Sequence, residues 1–265
     1  MDSSIRIEGL TKRFPRLTAV DGVSLTVGRG EIFGLIGPNG AGKTTLIKML
    51  TTLVPATVGE AWVAGHSIRK HPSAVRRRIG YVPQMLSADG ALTAYENLLL
   101  SARLYSIPRH ERDSRIRQAL SMVGLTEEAG TIVQRYSGGM IRRLEIAQGM
   151  MHRPAVLFLD EPTVGLDPTA RRVVWNNILE LRESMESTMF VTTHYMAEAE
   201  ELCDRIAVIH RGRIQHVGTP QELKSALGPG ATLDDVFINL TDSEIAAEGD
   251  YREVQRTRRS IRRRN

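Results

Sequence analysis

The 265-residue sequence predicts one α/β domain with a mostly parallel sheet and a helical insert. Three observations carry that expectation. Short β-branched segments alternate with segments whose apolar residues recur at helical spacing. A glycine-rich loop stands between a strand pattern and a helix pattern near residues 37–44. The alternation is then broken over roughly residues 85–153, where the signal is helical. Composition agrees, since 42% hydrophobic and 25% charged residues suffice for a sizeable core.

In chain order, residues 5–10, 23–27 and 31–36 read as strands, being β-branched or alternating and bounded by glycines. Leu46, Met49, Leu50 and Leu53 then recur as one buried helix face. Strands resume at residues 60–64 and 79–82. Thr93 and Glu96 have capping-box spacing, in which hydroxyl and carboxylate satisfy each other's backbone donors. Further helices are expected after Pro108 and after Ser137. A strand at 155–159, a helix near 169–185 and a strand at 188–192 restore the alternation. A hairpin signal, AVIHRGRIQHV, follows, and Thr219-Pro220 supplies a cap and an N1 proline for another helix. Leu233, Val236, Phe237 and Leu240 form a short amphipathic stripe. The expected organisation is a domain at 1–228, an amphipathic extension at 229–250, and a disordered tail at 251–265.

No stretch approaches the roughly 20 apolar residues that a membrane-spanning helix needs. The longest uninterrupted apolar run is residues 155–159. The opening MDSSIRIEGL lacks an apolar signal core, so a cytoplasmic protein is expected. The single cysteine, Cys203, fits a reducing compartment and lies in an apolar-spaced stretch that suits a buried structural role. The net charge of +5 is misleading about partners, because residues 251–265 hold seven arginines against one glutamate. That tail is +6, which leaves −1 for the rest. A solvated tail is the favoured reading. Attraction to anionic lipid head groups, about 1 kcal/mol per basic residue near the surface, is the sharper one. Nucleic acid ranks third, since Tyr251 is the tail's one aromatic.

Three motifs carry chemistry. Gly37, Pro38, Asn39, Gly40, Ala41, Gly42, Lys43 and Thr44 fit G-x-x-x-x-G-K-[ST] between strand and helix. Glycines let successive N–H groups converge on phosphate oxygens, and the helix N-terminus adds its dipole. Lys43 can reach the β- and γ-phosphates, and the Thr44 hydroxyl suits Mg²⁺. The chain is therefore read as binding a nucleoside triphosphate. Next, an apolar strand ends in adjacent carboxylates, Asp160 and Glu161, where ligands bind in open α/β sheets. Successive strand residues face opposite ways, so Asp160 is assigned to the metal and Glu161 to polarising water. Lastly, Ser137 is a good N-cap, and Gly138 and Gly139 leave the first helical N–H groups open to an anion.

These motifs, with their order and spacing over residues 5–240, resemble the nucleotide-binding subunit of ATP-binding-cassette (ABC) transporters. The residues that carry the resemblance are the phosphate loop, Gln84 after a strand, the YSGGM string at 136–140, the acidic strand at 156–162, Asp167 and His194. The strings LTKRF, DEPTVGLDP, TTHYMAEAEELCDRI and TLDDVFINLT are most similar to single-cassette subunits of bacterial drug-resistance exporters of the daunorubicin-resistance kind. The resemblance implies a P-loop NTPase fold with a RecA-like mixed β core, a small antiparallel β subdomain and an inserted α-helical subdomain. It implies ATP and Mg²⁺ as cofactors, a membrane permease as partner, and a second copy of the chain in an ATP-sandwiched homodimer. It implies export of a drug or other hydrophobic compound, powered from the inner face of the cell membrane.

Residue by residue, it implies that Phe14 stacks on adenine and that residues 37–44 together with Thr45 cradle the phosphates. Thr44, Asp160 and Gln84 hold Mg²⁺, and Gln84 also senses the permease. Lys43, Glu161, His194 and Gln84 act in hydrolysis, with Glu161 as general base. Ser137, Gly138, Gly139 and Asp167 meet the nucleotide of the facing subunit. The family's commonest signature begins with leucine and ends with glutamine, whereas here Tyr136 and Met140 occupy those places. The phosphate-facing Ser-Gly-Gly is intact. The rival reading is a soluble cassette ATPase acting on ribosomes or nucleic acid. Such relatives carry tandem cassettes or long insertions, and the only feature here that favours it is the tail. A small-molecule kinase, the other rival, is opposed by the signature and His194.

Overall fold

A computed structural model describes residues 3–239. The β-branched start of the chain forms two long strands, β1 (Ser3–Phe14) and β2 (Leu17–Gly28), paired antiparallel. Next comes β3 (Ile32–Ile36), buried at every residue, and then α1 (Lys43–Leu50). Leu46, Met49 and Leu50 bury as expected, but Leu53 is 57% exposed. The helix stops at Thr51, whose hydroxyl bonds back to the Ile47 carbonyl, and Thr52 turns into the left-handed region at φ 64°. The periodicity therefore outruns the helix by one residue of the stripe.

Two short strands, β4 (Val58–Val63) and β5 (His66–Ser67), complete a four-stranded antiparallel sheet of order β2-β1-β4-β5. A short helix α2 (Pro72–Arg78), not expected from the sequence, leads to β6 (Ile79–Val82). The insert then supplies α3 (Ala94–Leu104), α4 (Arg109–Met122) and α5 (Gly138–Met150). The Thr93–Glu96 capping box forms at the start of α3. The remaining elements are β7 (Val156–Asp160), α6 (Pro168–Met185), β8 (Thr188–Thr193) and α7 (Met196–Leu202). They are followed by β9 (Arg205–His210), β10 (Arg213–Gly218) and α8 (Pro220–Leu227). Residues 233–239 are helical, with Leu233 and Val236 buried, while Leu240 and the arginine-rich tail lie outside the described residues.

The second sheet has six strands in the order β10-β9-β3-β8-β7-β6. Strands β9, β3, β8, β7 and β6 run parallel, and β10 closes the edge antiparallel as the second arm of the expected hairpin. Parallel strands must be covered on both faces, and two apolar clusters do this. One joins the inner faces of β1, β2, β4 and α1 to Phe33, Phe158 and Phe190. The other joins α6, α7 and part of α5 to Ile32, Leu157, Leu159 and Val191. A third cluster, built on Leu98, Ile116, Leu120 and Leu144, packs α3, α4 and α5 among themselves. Cys203 is buried where β3 and α7 meet, its Sγ 2.7 Å from the place a Cβ on Gly34 would take. Burial pushes its thiol far above the ordinary range. Among the described residues, no helix is long and apolar enough to cross a membrane.

Candidate nucleotide site

The site lies where the parallel strands end. β3 delivers the chain to Gly37, and the loop curls back into α1. A Cβ on Gly42 would run into the Ala19 carbonyl, and its φ of 108° is left-handed, so only glycine fits there without strain. Gly42 caps α1 without a side chain of its own, so no side chain caps the first helical N–H groups. Lys43, 4% exposed, donates to the carbonyls of Gly37 at 2.8 Å and Pro38 at 3.2 Å. Its Nζ also lies 3.1 Å from Glu161 Oε1. Two carbonyl oxygens and one carboxylate oxygen thus surround its ammonium.

Asp160 ends β7 and is 1% exposed. Its Oδ1 accepts from the hydroxyls of Thr44 at 3.2 Å and Thr192 at 2.7 Å. Its Oδ2 is buried without a partner. Burial is the main reason its carboxyl is held above the ordinary range, and the charge of Glu161 adds to this. The hydrogen bonds from Thr192 and Thr44, and the charge of Lys43, act the other way. The Tyr81 phenol nearby is pushed up to about 12, first by burial and then by Asp160. An orphaned buried carboxylate oxygen beside a threonine hydroxyl fits a small hard cation such as Mg²⁺.

Glu161 follows the strand in the left-handed region, at φ 49°. Backbone strain of this kind is held by its surroundings. Here the Glu161 N–H donates to the Thr192 carbonyl at 3.0 Å and to its hydroxyl at 3.1 Å. The carboxylate, 5% exposed, meets three of the candidate site residues. Besides Lys43, Gln84 Nε2 donates to Oε2 at 3.2 Å. His194 Nδ1 is 3.2 Å from the same oxygen, close enough for an ion pair but not aligned as a hydrogen bond. The next residues are tied down as well. Thr163 donates to Glu198 Oε1 at 2.7 Å and Trp175 Nε1 to the same atom at 2.9 Å, which binds the turn after Glu161 to α7.

The structure therefore brings Lys43, Thr44, Gln84, Asp160, Glu161 and His194 together. It holds Gly37 and Pro38 against Lys43 as well, while Ser137, Gly138, Gly139, Asp167 and Phe14 find other neighbours. Ser137 caps α5 by accepting from the Met140 N–H, and Asp167 caps α6 by accepting from Thr169 and Ala170 at 2.9 Å each. Gly138 faces Leu166, and Gly139 packs so closely on α6 that a Cβ would sit 2.9 Å from that of Ala170. Phe14, at the tip of the β1–β2 hairpin, is 44% exposed with Lys12 Nζ 5.1 Å from its ring centre. Thr192, Thr163 and Glu198 escaped sequence reading. A threonine ending a strand is ordinary β material, and Glu198 sits among other glutamates in the AEAEEL string.

A glycine loop, a lysine and a threonine at one strand end, with a carboxylate pair at the end of another strand of the same sheet, define a phosphate-loop nucleotide-binding protein. Comparison with known proteins narrows that class. The model of the ABC transporter family matches residues 20–164. The chain is 41% identical to the linearmycin resistance ATP-binding protein of Bacillus subtilis, over 91% of this chain and 76% of that one. It is also 41% identical to the daunorubicin/doxorubicin resistance ATP-binding protein of Streptomyces peucetius, over 93% of this chain and 73% of that one. A dimeric ATP-binding cassette solved in a post-hydrolysis state with ADP and Pi superposes with a TM-score of 0.73 at 25% identity, covering 81% of this chain and 98% of that one. The chain belongs to the ABC transporter family.

Proposed function

We propose that the chain is the ATP-hydrolysing subunit that powers export of a drug or other hydrophobic compound through a separate membrane permease. It would work as a homodimer on the inner face of the membrane, its cassette spanning residues 1–228 and the extension 229–250. The observation that carries the proposal is Glu161, a buried carboxylate in reach of Lys43, Gln84 and His194 at once. The exporter role is supported by the resistance functions named for the two relatives.

In this reading, Lys43 exchanges the Gly37 and Pro38 carbonyls and Glu161 for β- and γ-phosphate oxygens. That exchange frees Glu161 to accept a proton from water. His194 and Gln84, which flank its Oε2, orient the water and the γ-phosphate. Thr44, Asp160 and Gln84 would hold Mg²⁺, whose charge would offset that of the phosphates. Phosphoryl transfer to water needs placement and charge neutralisation more than covalent chemistry, and this set supplies both. Phe14 offers an exposed ring to adenine, and Thr45 an adjoining hydroxyl to the phosphates.

Ser137, Gly138, Gly139 and Asp167 are assigned to the facing nucleotide of a second copy. Within this chain Ser137 and Asp167 cap α5 and α6, and the two glycines lie where α5 starts beside α6. Anionic head groups are the proposed partner of the arginine tail.

The test is Glu161→Gln, which keeps shape but cannot take a proton. It should bind MgATP and accumulate a dimer on size-exclusion chromatography, while hydrolysis falls about a hundredfold or more. Hydrolysis near the parent rate would remove the general-base assignment.

A further inference from the structure

A buried charge pair on α5 grips the loop that carries Gln84. Arg142 and Glu145 stand one turn apart, are 2% and 3% exposed, and pair at 3.0 Å between Nη1 and Oε2. Each also reaches into the segment after β6. Arg142 donates from Nη1 to the Pro83 carbonyl at 2.6 Å and from Nη2 to the Gln84 carbonyl at 2.7 Å. Glu145 Oε1 accepts from the Ser87 N–H, from the Ser87 hydroxyl at 3.1 Å and from the Ala88 N–H at 3.2 Å. Between these anchors, Met85 is 82% and Leu86 50% exposed, so packing does little to fix the loop.

Stability alone does not account for such a pair. Desolvation of two charges offsets most of their attraction, and apolar replacements of similar volume are often neutral. What apolar residues cannot do is satisfy the carbonyls and N–H groups of the loop.

We propose that Arg142 and Glu145 are positioning residues that lock loop 83–88 to α5, so that the helix start at Ser137 and the side chain of Gln84 move as one body. Arg142 lies about 7.5 Å along the helix from Ser137, at about 1.5 Å per residue. The inference rests on the reading that the start of α5 meets the nucleotide of a second copy. Given that, engagement at one site sets the reach of Gln84 toward Glu161 in the other.

The test uses the full chain with Arg142→Met and Glu145→Leu together. In nucleotide-free protein, amide exchange at Ser87 and Ala88 should rise about tenfold as their acceptor is removed. MgATP affinity should stay within about twofold, while kcat falls about tenfold, as when a group that orients a ligand-bearing side chain is lost. Unchanged exchange would overturn the clamp. Raised exchange with the parent kcat would overturn the coupling. Should the double variant not fold, Arg142→Lys tests the coupling through kcat, which should fall at nearly unchanged MgATP affinity although Ser87 and Ala88 keep their Glu145 acceptor. The parent kcat would overturn the proposal. Lysine keeps the charge pair but has no planar fork to serve two carbonyls. Glu161→Gln run alongside separates the two claims, because its failure to slow hydrolysis would sink the catalytic reading and leave the loop-exchange result standing.

Discussion

At the residue scale, Asp160 holds its place at an energetic cost. Its Oδ2 is buried and unpartnered, and burial holds the carboxyl above its ordinary range. The folded state therefore keeps a proton that the unfolded chain has already released, and stability falls as pH rises through that interval. Asp160→Asn keeps an acceptor for Thr44 and Thr192 while removing the charge. Without nucleotide, it should melt about 2–4 °C above the parent at neutral pH, the shift that about 1 kcal/mol gives in a chain of this size. The gap should close below the carboxylate range, where both forms are neutral. Equal melting at neutral pH would count against the cost. The same variant should lose the Mg²⁺-dependent part of ATP binding. Lys43, Thr44, Asp160 and Glu161 were all legible in the sequence, because motif spacing fixes the first two at a helix start and the others at a strand end. The turn of Glu161 to φ 49° was not, since Thr192, which holds it, is remote in the chain.

At the element scale, α5 and α6 meet at a glycine for reasons of space. Gly139→Ala would place a Cβ 2.9 Å from that of Ala170, so Gly139→Ala should destabilise the fold by about 1–3 kcal/mol in urea unfolding. Adding Ala170→Gly should recover part of that loss. No recovery would mean that the glycine serves something other than this contact. The sequence showed Gly139 only as an open N–H at a helix start, because its neighbour across the groove comes from another element. The same logic separates the helices that were legible from those that were not. α3 announced itself by its capping box, and α8 by Thr219-Pro220. α2 buries only Val75, so no stripe marks it, and α7 hides its apolar residues among glutamates. Leu53 misled because periodicity carries no information about where Thr51 ends the helix.

At the scale of the whole molecule, among the described residues no hydrogen bond or ion pair joins the phosphate loop to Ser137–Gly139, and their proposed division between two copies is testable. Lys43→Ala and Ser137→Arg should each be inactive as homodimers. Mixed, they form dimers in which one site has both parts intact. Activity should return to roughly a quarter of the parent if half the dimers are mixed. No rescue in single-turnover hydrolysis, once subunit exchange is verified, would place each site within one chain. Removing residues 251–265 should leave hydrolysis intact but weaken binding to anionic vesicles, an effect that salt screens. Equal vesicle binding with and without the tail would remove lipid as its partner. One buried atom makes the chain its own clock. Cys203 is the sole thiol of the sequence and sits between β3 and α7 with its ionisation suppressed. Reagents attack thiolates, so they can mark it only while that seam is parted. Its labelling rate therefore times the lifting of α7 from the six-stranded sheet, and any cysteine introduced on the surface will take a fluorophore alone.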